Sequence, residues 1–399
     1  MRRPIIKGLA LAAILLAHPV RAAEPLVAEP LVIDVILPLT GGGSFLGQQE
    51  QVALKVAETV FAAAGGVAGR PVRFTFHDDQ SSPQVAVQLA TRLAAAKPNV
   101  ILGSGLVGMC NAMAPLMKRG PVMYCFSPGV YPEPGSFLFS SGVSTRDLAA
   151  AQLAYWQARG LKRIALITST DASGQDAQRN ILALFAKPEF AGLSLVEQQR
   201  FNSGDVSAAA QIETIKAASP QALIAWSSGA AVGTLFKAIT AAGLDVPVAT
   251  TNANMTYAQM EQYAAFLPRE LYIPSAEWPA GQARLPQGQS LPASVQAAQA
   301  AFFAAFQKAG ARPDASSTFS WDPAMLVVAA LRDVGADATP EALRARLAAT
   351  QAFGGVNGVY DFAASPQRGL DLADVVVTRW DAKQGTWTVV SQPRGLPLP

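Results

Sequence analysis

Val100-Ile101-Leu102 and Ile164-Ala165-Leu166-Ile167 carry no polar residue on either alternating set, so a strand built from either must be covered on both faces. Further β-branched runs share their length: Val32–Ile36, Val72–His77, Val122–Phe126, Arg163–Thr168, Leu195–Arg200, Ala222–Trp226, Val246–Ala249, Leu271–Ile273 and Asp374–Arg379. Between most of them lie longer stretches with apolar residues at helical spacing. Examples are Val85, Val87, Leu89 and Leu93; Ile212 and Ile215; Leu235 and Ile239; and Phe302, Phe303 and Phe306. Strand, helix, strand at this interval specifies parallel sheets with helices on both faces, an α/β doubly wound architecture.

The alternation falls into two series, one ending near Gly142 and one running from Arg163 to Ile273. A helix-rich remainder (Ala293–Gly310, Asp322–Val334, Pro340–Thr350) closes with the late strand. Pro- and Gly-rich stretches at Ser127–Gly135 and Pro274–Gln289 read as crossings and surface loops. The chain's 399 residues exceed what one core usually supports, so two domains are expected. Open parallel sheets bind ligands beyond the carboxyl ends of their strands, and two such sheets facing each other make a cleft.

The N-terminus reads as an export signal over residues 1–22. Arg2, Arg3 and Lys7 precede the apolar run Gly8–Ala17, which is too short to span a bilayer, and Val20-Arg21-Ala22 offers a cleavage site. No cysteine lies near that site, so a released periplasmic protein without a lipid anchor is expected. The formal charge of +3 is misleading: removing the signal's four cations leaves 27 basic against 28 acidic residues. A near-neutral chain without a Lys/Arg cluster has no footprint for nucleic acid. His77 is the only histidine outside the signal. Ser-His-Asp and Cys-His chemistry both need an imidazole, and multi-His metal sites need several ligands. Ser104 and Cys110 therefore lack a base, and no enzyme, metal site or cofactor is expected. His77-Asp78-Asp79 reads as a strand end running into a loop.

Three motifs invite over-reading. Gly103-Ser104-Gly105-Leu106-Val107-Gly108 is G-x-G-x-x-G after a strand, but the next strand ends in Ser127-Pro128-Gly129 without the acid that a dinucleotide fold needs. It reads instead as a glycine loop that lets a helix start approach a small ligand. Gly41-Gly42-Gly43-Ser44 lacks the G-K-[ST] of a phosphate loop and reads as a turn with Ser44 as helix N-cap. Cys110 and Cys125 are the only cysteines; an oxidising compartment permits a bridge, and two buried thiols are the alternative.

Several short pieces recur in a recognisable order: Ile36-Leu37-Pro38-Leu39-Thr40-Gly41, Asp78-Asp79-Gln80-Ser81-Ser82-Pro83, the Val100–Gly108 loop, Ala241-Ala242-Gly243-Leu244, Trp321-Asp322-Pro323-Ala324, and Gly354-Gly355 through Gly358-Val359-Tyr360-Asp361-Phe362. From about residue 31 onward the chain resembles the Leu/Ile/Val-binding-protein-like periplasmic solute-binding proteins of ABC importers, with the type I periplasmic binding fold. The resemblance implies two doubly wound lobes joined by three hinge crossovers, near Gly142, Ser275–Trp278 and Gly354–Gly358. Lobe 1 would combine 24–142 with 278–353, and lobe 2 would combine 143–277 with 354–399. It implies a monomer that closes on a small ligand and docks on membrane permease and ATPase subunits; a sensor feeding a membrane receptor would use the same fold.

Carried over by position, the family's ligand loops fall on Phe45, Met109, Cys110, Ser127, Gly129, Val130, Tyr131, Ser173, Ser228, Asn252 and Phe319. Backbone N–H groups at Met109 and Gly129 would hold a carboxylate. Amino-acid-binding members place an acid, which pairs with the ligand's ammonium, where this chain has Asn252, and tyrosines where it has Ser173 and Ser228. A buried ammonium without a carboxylate partner costs several kcal/mol. Gln367-Arg368-Gly369-Leu370 resembles members that take aromatic acids. The expected ligand is therefore an aromatic or other organic acid, with a branched-chain or other aliphatic amino acid as the alternative.

Overall fold

The computed structural model describes residues 29–276, 278 and 291–398. The expected export signal and most of the Pro274–Gln289 stretch lie outside the described residues.

The first series supplies β1 (Leu31–Leu37), α1 (Ser44–Ala63), β2 (Val72–Asp78), α2 (Pro83–Ala95), β3 (Val100–Gly103), α3 (Val107–Met113), β4 (Val122–Cys125) and β5 (Leu138–Ser140). Its strands form one parallel sheet in the order β2-β1-β3-β4-β5. The second series supplies α4 (Thr145–Ala158), β6 (Arg163–Ser169), α5 (Ala172–Phe185), β7 (Ser194–Phe201), α6 (Ala209–Ala217), β8 (Ala222–Trp226), α7 (Ala231–Ala241), β9 (Val248–Ala249), α8 (Tyr257–Gln262) and β10 (Leu271–Ala276). The remainder contributes α9 (Ala293–Ala309), α10 (Ala315–Val334), α11 (Pro340–Ala348), β11 (Phe353–Gly354), β12 (Val359–Tyr360), β13 (Val375–Asp381) and β14 (Thr386–Val389).

The second sheet runs β14-β13-β10-β9-β8-β6-β7 and is parallel from β10 to β7. At its other edge β13 pairs antiparallel with both β10 and β14, which corrects the expectation of wholly parallel sheets. The link between β13 and β14 is too short for a crossover and permits only a hairpin. Trp380 and Trp387 face each other across it at 4.7 Å between ring centroids.

Helix starts follow side-chain chemistry. Ser82 caps α2 with Pro83 in its first turn, and Ser144 Oγ accepts from Asp147 N–H at 3.1 Å to start α4. Ser44 is not the cap of α1: Gly43 holds that position without a side-chain bond, and its N–H donates to Ser81 Oγ from the neighbouring loop. α10 begins at Ala315, seven residues before the expected Asp322, because Asp314 and Ser317 form a reciprocal capping box. The helix then runs through Pro323 with residues 315–324 all buried.

α9 and α10 return to the first sheet, where Ser320 Oγ donates to the Glu50 carbonyl of α1 and Phe302, Phe306 and Trp321 cluster. The β11–β12 hairpin stays there too. Tyr360 OH donates to Asp322 Oδ2 at 2.9 Å, Phe362 meets Phe139 edge-on, and Ser140 N–H donates to the Gln367 carbonyl. Residues through Gln367 thus remain bonded to the first half, and the chain joins the second sheet only at Val375, later than the Gly354–Gly358 expected for the third crossing.

Candidate functional site

A cavity of about 560 Å³ opens where the carboxyl ends of both sheets' parallel strands meet. The first half contributes Gly42 and Gly43 after β1, Ser81 after β2, Gly105 to Met109 after β3, and Ser127 and Pro128 after β4. The second contributes Asp171 to Ser173 after β6, Ser203 and Gly204 after β7, Ser228 and Ala230 after β8, and Thr251 and Ala253 after β9. Most wall residues lie in the loops that follow the strands, as the doubly wound architecture dictates.

The two halves touch around this cavity. Ala230 N–H donates to the Gly42 carbonyl at 3.0 Å. Tyr131 OH donates to Asp176 Oδ2 at 3.4 Å and accepts from Asn180 Nδ2 at 3.0 Å. Phe45 stands edge-on to Tyr263 with ring centroids 6.3 Å apart.

Among the expected site residues, Met109, Ser127, Ser173 and Ser228 lie in the cavity wall, and Ser228 Oγ donates to Ser173 Oγ at 2.8 Å. Gly129, Val130 and Tyr131 share the loop of Ser127 but not the wall: Val130 packs beside Met109 and Met113 in the core, and Tyr131 reaches across to α5. Phe45 lies against Tyr263, and Phe319 is buried within α10. Asn252 is buried in a short turn between Thr251 and Ala253, which do reach the cavity. Cys110 is joined to Cys125 in a disulfide with Cα atoms 6.1 Å apart, so the bridge, and not a pair of thiols, is present. Its sulfur is buried and does not face the cleft.

The glycine loop after β3 owes its composition to packing. A Cβ on Gly105 would lie 2.4 Å from Glu50 Oε1 and 2.5 Å from Leu46 Cδ2, so the loop lies directly on α1. Glu50 is fully buried there, and neither of its carboxylate oxygens has a hydrogen-bond partner among the described residues. Burial, with Asp79 and Asp314 nearby, raises its pKa well above the ordinary carboxylate value.

Among the described wall residues Asp171 is the one charged side chain, and sequence reading missed it. Its Oδ1 accepts from Gly174 N–H at 3.0 Å and Ser169 Oγ at 2.9 Å, which caps α5. The signal was present: an acid sits between a buried strand and a helix, at the strand end where ligands gather. The other polar side chains of the described wall are hydroxyls and the Trp226 indole. Ser127 Oγ is buried without a partner among the described residues. Behind Pro128, the buried Arg368 guanidinium donates to the carbonyls of Gly142 at 2.9 Å, Pro128 at 3.2 Å and Val130.

A family model described as periplasmic binding protein matches residues 30–385. A search of curated proteins finds no match. Among solved structures, an extracellular ligand-binding receptor from Rhodopseudomonas palustris HaA2 is 20% identical with a TM-score of 0.78, covering 91% of this chain and 99% of its own. An ABC transporter solute-binding protein from R. palustris, solved with benzoate, is 21% identical with a TM-score of 0.74, covering 93% and 97%. The branched-chain amino acid transporter substrate-binding protein LivJ from Streptococcus pneumoniae, solved with isoleucine, is 17% identical with a TM-score of 0.73, covering 91% and 99%. At these identities the likeness concerns the fold.

Proposed function

This chain belongs to the periplasmic binding protein family of extracytoplasmic ligand-binding proteins, and we propose that it captures a small, partly apolar carboxylate for an ABC importer. Members of this family bind solutes and are not enzymes. The observation that carries the reading is the wall of the cavity: mostly apolar surface, including Trp226, with hydroxyls, backbone groups and the single carboxylate of Asp171, and no Lys, Arg or His side chain among the described lining residues. Such a pocket suits a ligand with a large apolar part and few polar anchors. Ser127 in the wall and the backbone amide of Met109, in the first turn of α3, are the proposed anchors for an acid group. The two lobes would close by hinge motion at the three chain crossings, and the closed form would dock on permease and ATPase subunits.

A second reading, an aliphatic amino acid, is favoured by Asp171, because a carboxylate in the wall offers a partner for an ammonium group. The test is a thermal-shift panel of aromatic acids and aliphatic amino acids on the exported form. A ligand at a hundred times its dissociation constant adds about 2.7 kcal/mol of stability. A shift with aromatic acids and none with amino acids supports the first reading, and the reverse supports the second. Silence from both classes overturns the proposal.

A further inference from the structure

Asp171 sits in the wall with only half of its hydrogen-bonding capacity used. Oδ1 holds the start of α5 through Gly174 N–H and takes the Ser169 hydroxyl proton, whereas Oδ2 has no partner among the described residues. An ionised carboxylate accepts only, so this oxygen seeks a donor. Beside it on the same half stand the Ser173 and Ser228 hydroxyls, already bonded to each other. On the other half, Ser127 lies in the wall, and its Oγ is buried with no partner among the described residues. The two walls therefore differ: one presents an acceptor with a full negative charge, the other a neutral hydroxyl free to donate.

We infer that Asp171 determines specificity by requiring a second polar group on the ligand: a hydrogen-bond donor, either a phenolic hydroxyl or an ammonium, in addition to the carboxylate. This inference rests on the proposed carboxylate ligand and narrows its class. A bare apolar acid would leave Oδ2 facing apolar ligand surface, stripped of water, and binding would be weakened by that desolvation. Donor-bearing acids would satisfy it through a charge-assisted hydrogen bond. Sites built to bond a polar substituent discriminate strongly against analogues that lack it.

The test uses the exported form and five probes, with affinities measured by calorimetry. 4-Hydroxybenzoate and leucine carry carboxylate and donor; benzoate and 4-methylpentanoate carry the carboxylate alone; isoamylamine carries the ammonium alone. At least one donor-bearing acid is expected to bind tenfold or more tightly than its donor-free counterpart, and which pair shows the difference identifies hydroxyl or ammonium. In Asp171→Asn the amide oxygen keeps the cap on α5 while the NH2 replaces the free acceptor. That variant should lose the tenfold preference, with donor-free acids binding at least as tightly as they bind the parent, because the charge they would strip of water is gone. Equal binding of donor-bearing and donor-free acids overturns the inference and leaves the carboxylate reading standing. So does an equal loss of every probe in Asp171→Asn. Binding of isoamylamine that depends on Asp171, with no binding of any acid, supports the role of Asp171 and overturns the carboxylate reading. If none of the five binds, both fall.

Discussion

The backbone N–H of Ala230, in the loop between β8 and α7, donates to the carbonyl of Gly42, in the loop between β1 and α1, across 3.0 Å. Two loops separated by most of the first half of the chain thus meet main chain to main chain at the cavity's edge. The approach depends on Gly229. A Cβ there would lie 2.2 Å from the Gly42 oxygen, and its φ of +69° is a conformation that side chains resist. Gly229→Ala should keep both halves folded and prevent their close approach. The expected outcome is a tenfold or greater loss of affinity for whichever ligand the panel identifies, with an enlarged radius of gyration in X-ray scattering under ligand saturation. Unchanged scattering and affinity would show that this contact plays no part in closing.

The disulfide ties α3, whose residue Met109 lies in the cavity wall, to the end of β4, after which Ser127 enters it. The bridge closes a loop of 15 residues in sequence. Constraining the unfolded chain over that length contributes about 3 kcal/mol in the chain-entropy account. The double substitution Cys110→Ala with Cys125→Ala should lower unfolding free energy by roughly that amount in urea titrations. Ligand affinity should change less than fivefold, because neither sulfur faces the cavity.

Buried acids make stability depend on pH in a defined direction. Burial pushes Asp314 up to about 7 and Asp322 up to about 6, against their backbone hydrogen bonds, and Glu50 lies well above the usual range. Between the ordinary carboxylate range near 4 and these raised values, the folded chain holds protons that the unfolded chain has released. Their contribution is therefore full at low pH and falls as pH rises through 6 and 7. Calorimetric Tm should fall from pH 5 to pH 8. Of these three acids, Glu50 is the one with neither oxygen bonded among the described residues, so Glu50→Gln should raise Tm at pH 8 and change it less at pH 5.

What local sequence could disclose follows from the range of the forces involved. Ala222–Trp226 and Val100–Gly103 lie wholly buried in their sheets and announce themselves by unbroken apolar composition. β5 has three residues and β14 four, too few to establish a period, and both are held by long-range pairing. The late third crossing rests on bonds such as Ser140 to Gln367, which no local pattern encodes. The resemblance by position points to Met109, Ser127, Ser173 and Ser228, and all four lie in the cavity wall; Asp171 has no counterpart in that resemblance, and an acid between a strand and a helix has the local pattern of a cap.

Arg368 gives the clearest separation between a local motif and its structural use. The Gln367-Arg368 pair resembles a ligand-class signature in sequence, yet both side chains bond the first half's backbone: Gln367 Nε2 donates to the Ser136 carbonyl, its Oε1 accepts from Gly135 N–H, and Arg368 takes the carbonyls of Gly142, Pro128 and Val130. The peptide plane is rigid, so a Pro128 carbonyl aimed at Arg368 turns the Gly129 N–H the opposite way. Pro128 keeps a second donor, Thr145 N–H, when the guanidinium is removed; Gly142 and Val130 lose a charged one. Leaving two buried carbonyls without that donor costs about 1–3 kcal/mol each. Arg368→Met should therefore lower stability by about 2–6 kcal/mol in denaturant titrations. Hydrogen exchange should quicken over 126–131 while β6, remote from this contact, keeps its protection. Arg368→Lys retains a cation but not the fork that spans three carbonyls, and it should recover part of the stability and little of the protection. Unaltered exchange over 126–131 in Arg368→Met would show that the loop holds its shape without the guanidinium.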